Sequence, residues 1–317
     1  MSSAFALKGS YWVTVRQYRR TLWLAAGLVA AALAVIGGLR IWDAQYPDVQ
    51  AEGGYWQTAR DNHAYGLLRF AQGELAIGMV FLPLLVGAFV AGPLIAREFE
   101  SGTYKLSLTQ SVSPTTWLRS KLLITGTGAL VTTLLLTAVY ALGWSRVGGV
   151  SQLHWADRGS YEILGTALSA YVLFALAVGA LTGLLIHRTV VAMAVTGLVT
   201  GTALFVLGLV RWDFLPVVTV TGPAIENASM LTMPEDGLIM GQGLIGVSGR
   251  RLPGWFCSPE TMPGGSCRPD EPIAAQYLDY HPESHFWPTQ LIESGILLAL
   301  AATAILVAFR LLRARHA

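Results

Sequence analysis

The segment Ala91–Leu122 reads AGPLIAREFESGTYKLSLTQSVSPTTWLRSKL and decides how the 317-residue chain is arranged. Long apolar runs flank it, yet it gathers Arg97, Glu98, Glu100, Lys105, Arg119 and Lys121 into one short connection. A helix ending near Phe99 is expected to stop at Ser101-Gly102-Thr103, because glycine accepts the positive φ that a helix end favours. A short amphipathic turn should follow, with Tyr104, Leu106 and Leu108 alternating against Lys105 and Ser107. Ser113 then caps a new helix with Pro114 at its first position. A charged protrusion between two apolar runs suits docking to a partner; the plain alternative is a solvated loop.

Working outward, 53% of residues are hydrophobic and only 13% are charged, with a mean hydropathy of +0.52. Soluble domains carry about 25% charged residues, so the chain reads as an all-α integral membrane protein. Six stretches approach the roughly 20 apolar residues that a bilayer requires: Leu22–Ile41, Leu75–Ile95, Lys121–Gly143, Ile163–Ile186, Val191–Val210 and Thr289–Phe309. The first is long and has no small-residue cleavage site, so it is expected to be a retained span and not a signal peptide. Pro83 should kink the second span. Gly179/Gly183 and Gly197/Gly201 offer small faces for close helix packing within the chain. Residues 9–20 place Tyr11, Val15 and Tyr18 beside Arg16, Arg19 and Arg20, the pattern of an interfacial helix.

Lys and Arg placement sets the expected orientation. One side collects Lys8, Arg16, Arg19, Arg20, Arg97, Lys105, Arg119, Lys121, Arg188, Arg310, Arg313 and Arg315. The other, leaving out the long loop, has only Arg40, Arg60, Arg69, Arg146 and Arg158. Both termini and residues 96–121 are therefore expected in the cytoplasm, with Glu98 and Glu100 the only carboxylates there. Residues 211–288 form the large outer loop between spans five and six, read as a small folded cap whose opening, Pro216–Met233, dips toward the membrane. Cys257 and Cys267 fall in this loop and are expected to form a disulfide; two free thiols are the alternative. Asn227-Ala228-Ser229 matches a glycosylation sequon.

The chain has no GxxxxGK[ST] phosphate loop, no HExxH and no GxSxG, so no catalytic residue, metal or cofactor is assigned to it. A net charge of +2 without a basic face gives no reason to expect nucleic acid. His281 and His285 stand four apart, but Pro282 argues against a regular helix presenting both. Glu74 and Glu293 lie at outer span ends, and Glu293 is read as facing water. With no carboxylate or histidine near mid-membrane, an ion-coupled carrier is not expected. The hydroxyls of spans three and five, among them Thr125, Thr132, Thr133 and Thr196, are expected to bond to their own helices.

The run Arg97, Glu98, Glu100, Gly102, Thr103, Gln110, Ser111, Trp117 and Lys121 resembles the loop after the second span in ABC transporter permeases of the export-class type 2 family. The tail YHPESHFWPTQLIESG (Tyr280–Gly295) is similar to the last-span entry of that family's actinobacterial branch. The resemblance implies a bacterial plasma-membrane exporter in which two copies of this chain pair with two separate ATP-binding subunits that hold ATP and Mg. It implies that Arg97, Glu98, Glu100, Gly102, Thr103, Tyr104, Lys105 and Gln110 couple to the ATPase. It also implies that spans two and five border the central cavity, making Met79, Phe89, Thr200 and Phe205 candidates for the substrate path. Cargo would be a drug, antibiotic, peptide or lipid. The competing reading is an ATP-independent receptor or immunity protein that binds a ligand through its outer loop.

The topology is open to direct test. In a Cys257→Ser/Cys267→Ser background, a cysteine replacing Lys105 should resist a membrane-impermeant maleimide on intact cells and react after permeabilisation. The reverse pattern would invert the assignment.

Overall fold

The computed structural model describes residues 10–50, 56–59, 61–104, 113–149, 153–223, 231, 236–253 and 272–316. Six helices are long and apolar enough to cross a membrane: span 1 (Arg19–Asp43), span 2 (His63–Glu100), span 3 (Pro114–Val147), span 4 (Ala167–Leu185), span 5 (Thr189–Asp213) and span 6 (Glu283–Ala314). A separate helix, Ser10–Gln17, precedes span 1. Most spans run past the expected apolar cores. Span 2 extends furthest, from Asn62, whose side-chain oxygen accepts from Tyr65 N at 3.0 Å and caps it.

Span 4 is the centre of the packing. Nearly all its residues are buried, and it touches spans 2, 3, 5 and 6. A helix apolar on every face can be enclosed in this way without stranding a polar side chain. Span 1 is at the opposite extreme, with Ile36 and Asp43 its only buried residues; it rests on spans 2 and 3.

Glycines let span 2 wedge between spans 4 and 5. A Cβ on Gly179 would overlap Ala91, and one on Gly183 would sit 2.9 Å from Ile95 Cβ. On the facing side, a Cβ on Gly92 would lie 2.7 Å from the Cα of Met193. The small faces of spans 4 and 5 thus serve packing within the chain.

Two prolines shape span 2. A proline ring crowds the carbonyl four residues earlier and donates no hydrogen bond. Pro83 does this to Met79, and the helix breaks in a turn at Phe81 before Leu82 resumes it. Pro93 does it to Phe89, and Val86–Ala91 widens into a π-helix. The kink was expected; the π-helical stretch was not.

The all-α expectation needs correction. A two-residue antiparallel pair, β1 (Val49–Gln50) and β2 (Trp56–Gln57), follows span 1. The long loop between spans 5 and 6 contains, among the described residues, four more strands, β3 (Val218–Pro223), β4 (Leu238–Gly246), β5 (Arg251–Pro253) and β6 (Ile273–His281). They form one antiparallel sheet of order β3-β6-β4-β5. The opening of the long loop, expected to dip toward the membrane, contains edge strand β3, and Thr219 Oγ1 donates to Asp279 Oδ1 of β6 at 2.5 Å. Cys257, Cys267 and the Asn227 sequon lie outside the described residues.

The sheet is joined to the spans by an aromatic cluster. Trp155 packs edge-on against Trp212 and Phe286, and Tyr161 does the same. His281 and His285 meet here despite Pro282. A 3-10 turn over Glu283–His285 brings their Nδ1 atoms to 2.9 Å, and His281 Nε2 donates to the Trp212 carbonyl at 3.0 Å. Burial, then the neighbouring His285, lowers the pKa of His281.

The packing predicts a contrast. Gly179→Ala meets unyielding backbone and should cost about 1–3 kcal/mol or more. Gly197→Ala meets only Ala88 Cβ, at 3.4 Å, and should be neutral or gain up to about 1 kcal/mol of helix stability. Thermal unfolding of the detergent-solubilised variants measures both.

Candidate functional site

The connection between spans 2 and 3 is an elbow stitched to three other parts of the chain. Glu98 is its first knot. Its Oε1 accepts from Lys121 Nζ at 2.6 Å and from Gln17 Nε2 at 3.1 Å, and its Oε2 accepts from Trp117 Nε1 at 3.1 Å. Trp117 and Lys121 stand one turn apart on span 3, so one helix face presents both donors. The Lys121 side chain is nearly buried and the Glu98 side chain largely so, a setting in which ionic hydrogen bonds are stronger than at an exposed surface. Tyr18 packs beneath them, and its phenol pKa is raised by burial and then by the charge of Glu98.

Glu100 makes the second knot. Its Oε2 accepts from the backbone N–H of Thr189 at 2.8 Å, capping the start of span 5 with a negative charge where the helix dipole is positive. Phe99, between the two acids, makes the third. Its ring stacks on Tyr104 at 4.4 Å and on His187 at 4.7 Å, and meets Trp117 edge-on at 6.3 Å. His187 lies in the turn between spans 4 and 5. The amino-terminal helix, the elbow and the span 4–5 turn therefore sit together at one end of the molecule. The end of span 6 joins them, because Leu312 shares a core cluster with Ile95, Trp117 and Leu118.

The elbow turns at Gly102, which has a φ of +72° and open space on the side where a Cβ would project. Ser101 and Thr103 bridge across it through their hydroxyls at 2.9 Å. Arg97 and Thr103 are exposed. Ser113 caps span 3, accepting from Thr116 N at 3.2 Å, as the sequence indicated. Lys105 and Gln110 lie outside the described residues.

The four candidates for a substrate path separate into two pairs. Phe89 and Phe205 are 63% and 60% exposed and line one groove of about 770 Å³ between spans 2 and 5. The π-helical stretch presents Phe89 there. Met79 is buried with Leu136, Tyr140 and Leu168, and Thr200 is buried against Gly87. Thr125, Thr132, Thr133 and Thr196 all donate to carbonyls four residues back in their own helices.

A second polar site, at the other end, escaped the sequence reading. Glu293 does not face water; it has no exposed surface. Its Oε1 accepts from Tyr171 OH at 2.5 Å and lies 3.3 Å from Arg211 Nη2, which also bonds Glu162 Oε1 at 2.8 Å. Glu162 Oε2 in turn accepts from Gly159 N at 2.7 Å, and the Arg211 guanidinium lies 4.3 Å over the Tyr161 ring. Spans 4, 5 and 6 and the short helix Ser160–Leu164 converge on one guanidinium. The four-residue spacing of Gln290 and Ser294 was the available signal: Gln290 Oε1 accepts from Ala167 N, and Ser294 pairs with Thr166 at the start of span 4.

Removing one partner of a buried ion pair strands the other charge. Arg211→Met should therefore destabilise by about 3–5 kcal/mol, whereas Glu293→Gln, which keeps an acceptor for Tyr171, should cost about 1–3 kcal/mol. Circular-dichroism melts of the purified chain give the ranking.

No curated protein and no solved structure gives a match. A family model described as ABC-2 membrane transporter related matches residues 24–211, from span 1 through the end of span 5. That match covers more than half of the chain and takes in the elbow. With six spans and a charged, stitched connection at the expected place, the chain belongs to the ABC-2 membrane transporter related family.

Proposed function

We propose that this chain is the membrane subunit of an ATP-driven exporter, moved by a separate ATP-binding subunit that docks on the elbow. Two copies of the chain and two ATPase subunits, with ATP and Mg held by the latter, make up the assembly in this reading. The elbow end faces the bacterial cytoplasm and the sheet lies outside. The single observation that carries the proposal is the threefold stitching of Glu98–Glu100. A push on an unattached loop would dissipate in it; a push on this one reaches span 3 through Trp117 and Lys121, span 5 through Thr189, and the amino-terminal helix through Gln17.

The acids accordingly act as ties that carry force, while exposed Arg97 and Thr103, with Tyr104, Lys105 and Gln110, meet the ATPase. Gly102 fixes the angle between the two. Closure of the ATPase dimer on nucleotide then rocks spans 2, 3 and 5 together, which is the rigid-element motion that alternating access uses. Cargo is hydrophobic or amphiphilic and passes along the groove of Phe89 and Phe205, where two exposed rings offer apolar surface and no charge. The apolar groove and the family membership favour this reading over a ligand-binding receptor.

The test co-expresses the chain with its ATP-binding subunit and measures ATP-dependent uptake of a hydrophobic dye into inverted vesicles. Glu98→Gln/Glu100→Gln should still co-purify with the ATPase yet lose at least tenfold in uptake. Gly102→Val, whose side chain is strained by about 1–2 kcal/mol at positive φ, should behave alike. Undiminished uptake in the double variant, or uptake without ATP, would overturn the proposal.

A further inference from the structure

Spans 1, 2 and 3 enclose a second groove, of about 410 Å³, running from Tyr18, just before span 1, to Leu28 on span 1 and from Ile124 to Thr133 on span 3. Ten residues of helix rise about 15 Å, half of the roughly 30 Å hydrocarbon core. The groove therefore has the length of one leaflet, on the side of the amino-terminal helix. Its walls are mostly hydrocarbon, with the hydroxyls of Tyr18 and Thr21 at the end nearest the amino-terminal helix. Thr125, Thr132 and Thr133 line it, but each hydroxyl is spent on its own backbone.

The mouth of the groove is basic. Arg20 stands one turn before the lining residue Leu24, and Arg16 and Arg19, which flank the lining residue Tyr18 in sequence, are exposed. Lys121 lies one turn before Thr125, with Nζ 6.0 Å from the ring of Tyr18. The acid near the mouth, Glu98, is already neutralised by Lys121 at 2.6 Å. Trp12, half exposed under Arg16 at 5.3 Å, adds an aromatic anchor of the kind found at headgroup depth.

We infer that this groove binds one anionic phospholipid, with an acyl chain lying along spans 1–3 and its headgroup on Arg16, Arg19 and Arg20. A groove one leaflet long, apolar along its length, with hydroxyls and arginines at one end, matches that ligand at both ends. A second copy of the chain would have to present an acidic patch to the same arginines. The inference does not depend on ATP-driven transport.

The test equilibrates the full chain in nanodiscs of equimolar phosphatidylglycerol and phosphatidylcholine, extracts it in mild detergent and counts retained lipid by native mass spectrometry. One phosphatidylglycerol per chain should remain, with roughly tenfold preference over phosphatidylcholine. Arg19→Gln/Arg20→Gln, at exposed positions that do not threaten folding, should abolish the preference. Ala25→Phe, which fills the groove, should release lipid of either kind. Equal retention of the two lipids by the unaltered chain would overturn the inference, as would retention indifferent to both variants. It would also fail if Ala25→Phe turned a dimer into monomers with the lipid count unchanged, since the groove would then hold a second copy.

Discussion

The close approach of span 2 to spans 4 and 5 is the constraint on which the other features depend. In lipid, helices gain little from burying apolar surface against one another, so association rests on tight contact between backbones. Here Gly87 and Gly92 on span 2 and Gly179 and Gly183 on span 4 supply that contact. The line of contact runs down span 2 to the carboxylates of Glu98 and Glu100. Were span 2 held a side chain's width further out, Glu100 would not reach Thr189 and Phe99 would not reach His187. The elbow's polar ties are thus a product of apolar packing above them.

Polar ties close the helix bundle at both ends. At one end Glu98, Lys121, Trp117 and Gln17 join spans 2 and 3 to the amino-terminal helix. At the other, Arg211 gathers Glu162 and Glu293 from elements more than a hundred residues apart, and Arg146 binds Asp43 and, bidentately, Asp48 to fasten span 1 to span 3. That pairing lowers the pKa of the Asp48 carboxyl. The middle of the bundle is largely apolar; Thr125, Thr132, Thr133 and Thr196 turn back on their own helices, and Thr196 also meets Thr182 of span 4 at 2.7 Å. The ion pairs between spans thus lie toward the helix ends.

Much of this was legible in the chain. Apolar run length gave six spans, Ser113-Pro114 gave the start of span 3, and the glycine pairs gave their packing faces. Features set by distant partners were not. Glu293 looked like an end-of-span acid in water because its counter-charge, Arg211, sits 82 residues earlier in what read as a loop. The sheet was hidden for a related reason: β4 carries glycines at 241, 243 and 246, which weaken any strand signal, and its partner β6 lies beyond a long intervening stretch. Of the four residues named for a substrate path, Phe89 and Phe205 share the surface of one groove. Only helix rotation, altered in span 2 by two prolines, decided that Met79 turns inward.

The π-helical stretch Val86–Ala91 carries a geometric consequence of its own. A π turn absorbs about one residue more than an α turn, and each residue of an α-helix advances about 100° around its axis. Everything beyond Ala91 is therefore indexed by that one surplus residue. An α-helical span 2 of the same length would aim Glu98 and Glu100 a quarter-turn or more away from Lys121 and Thr189. The wide turn, forced by Pro93, works as the phase setting of the elbow.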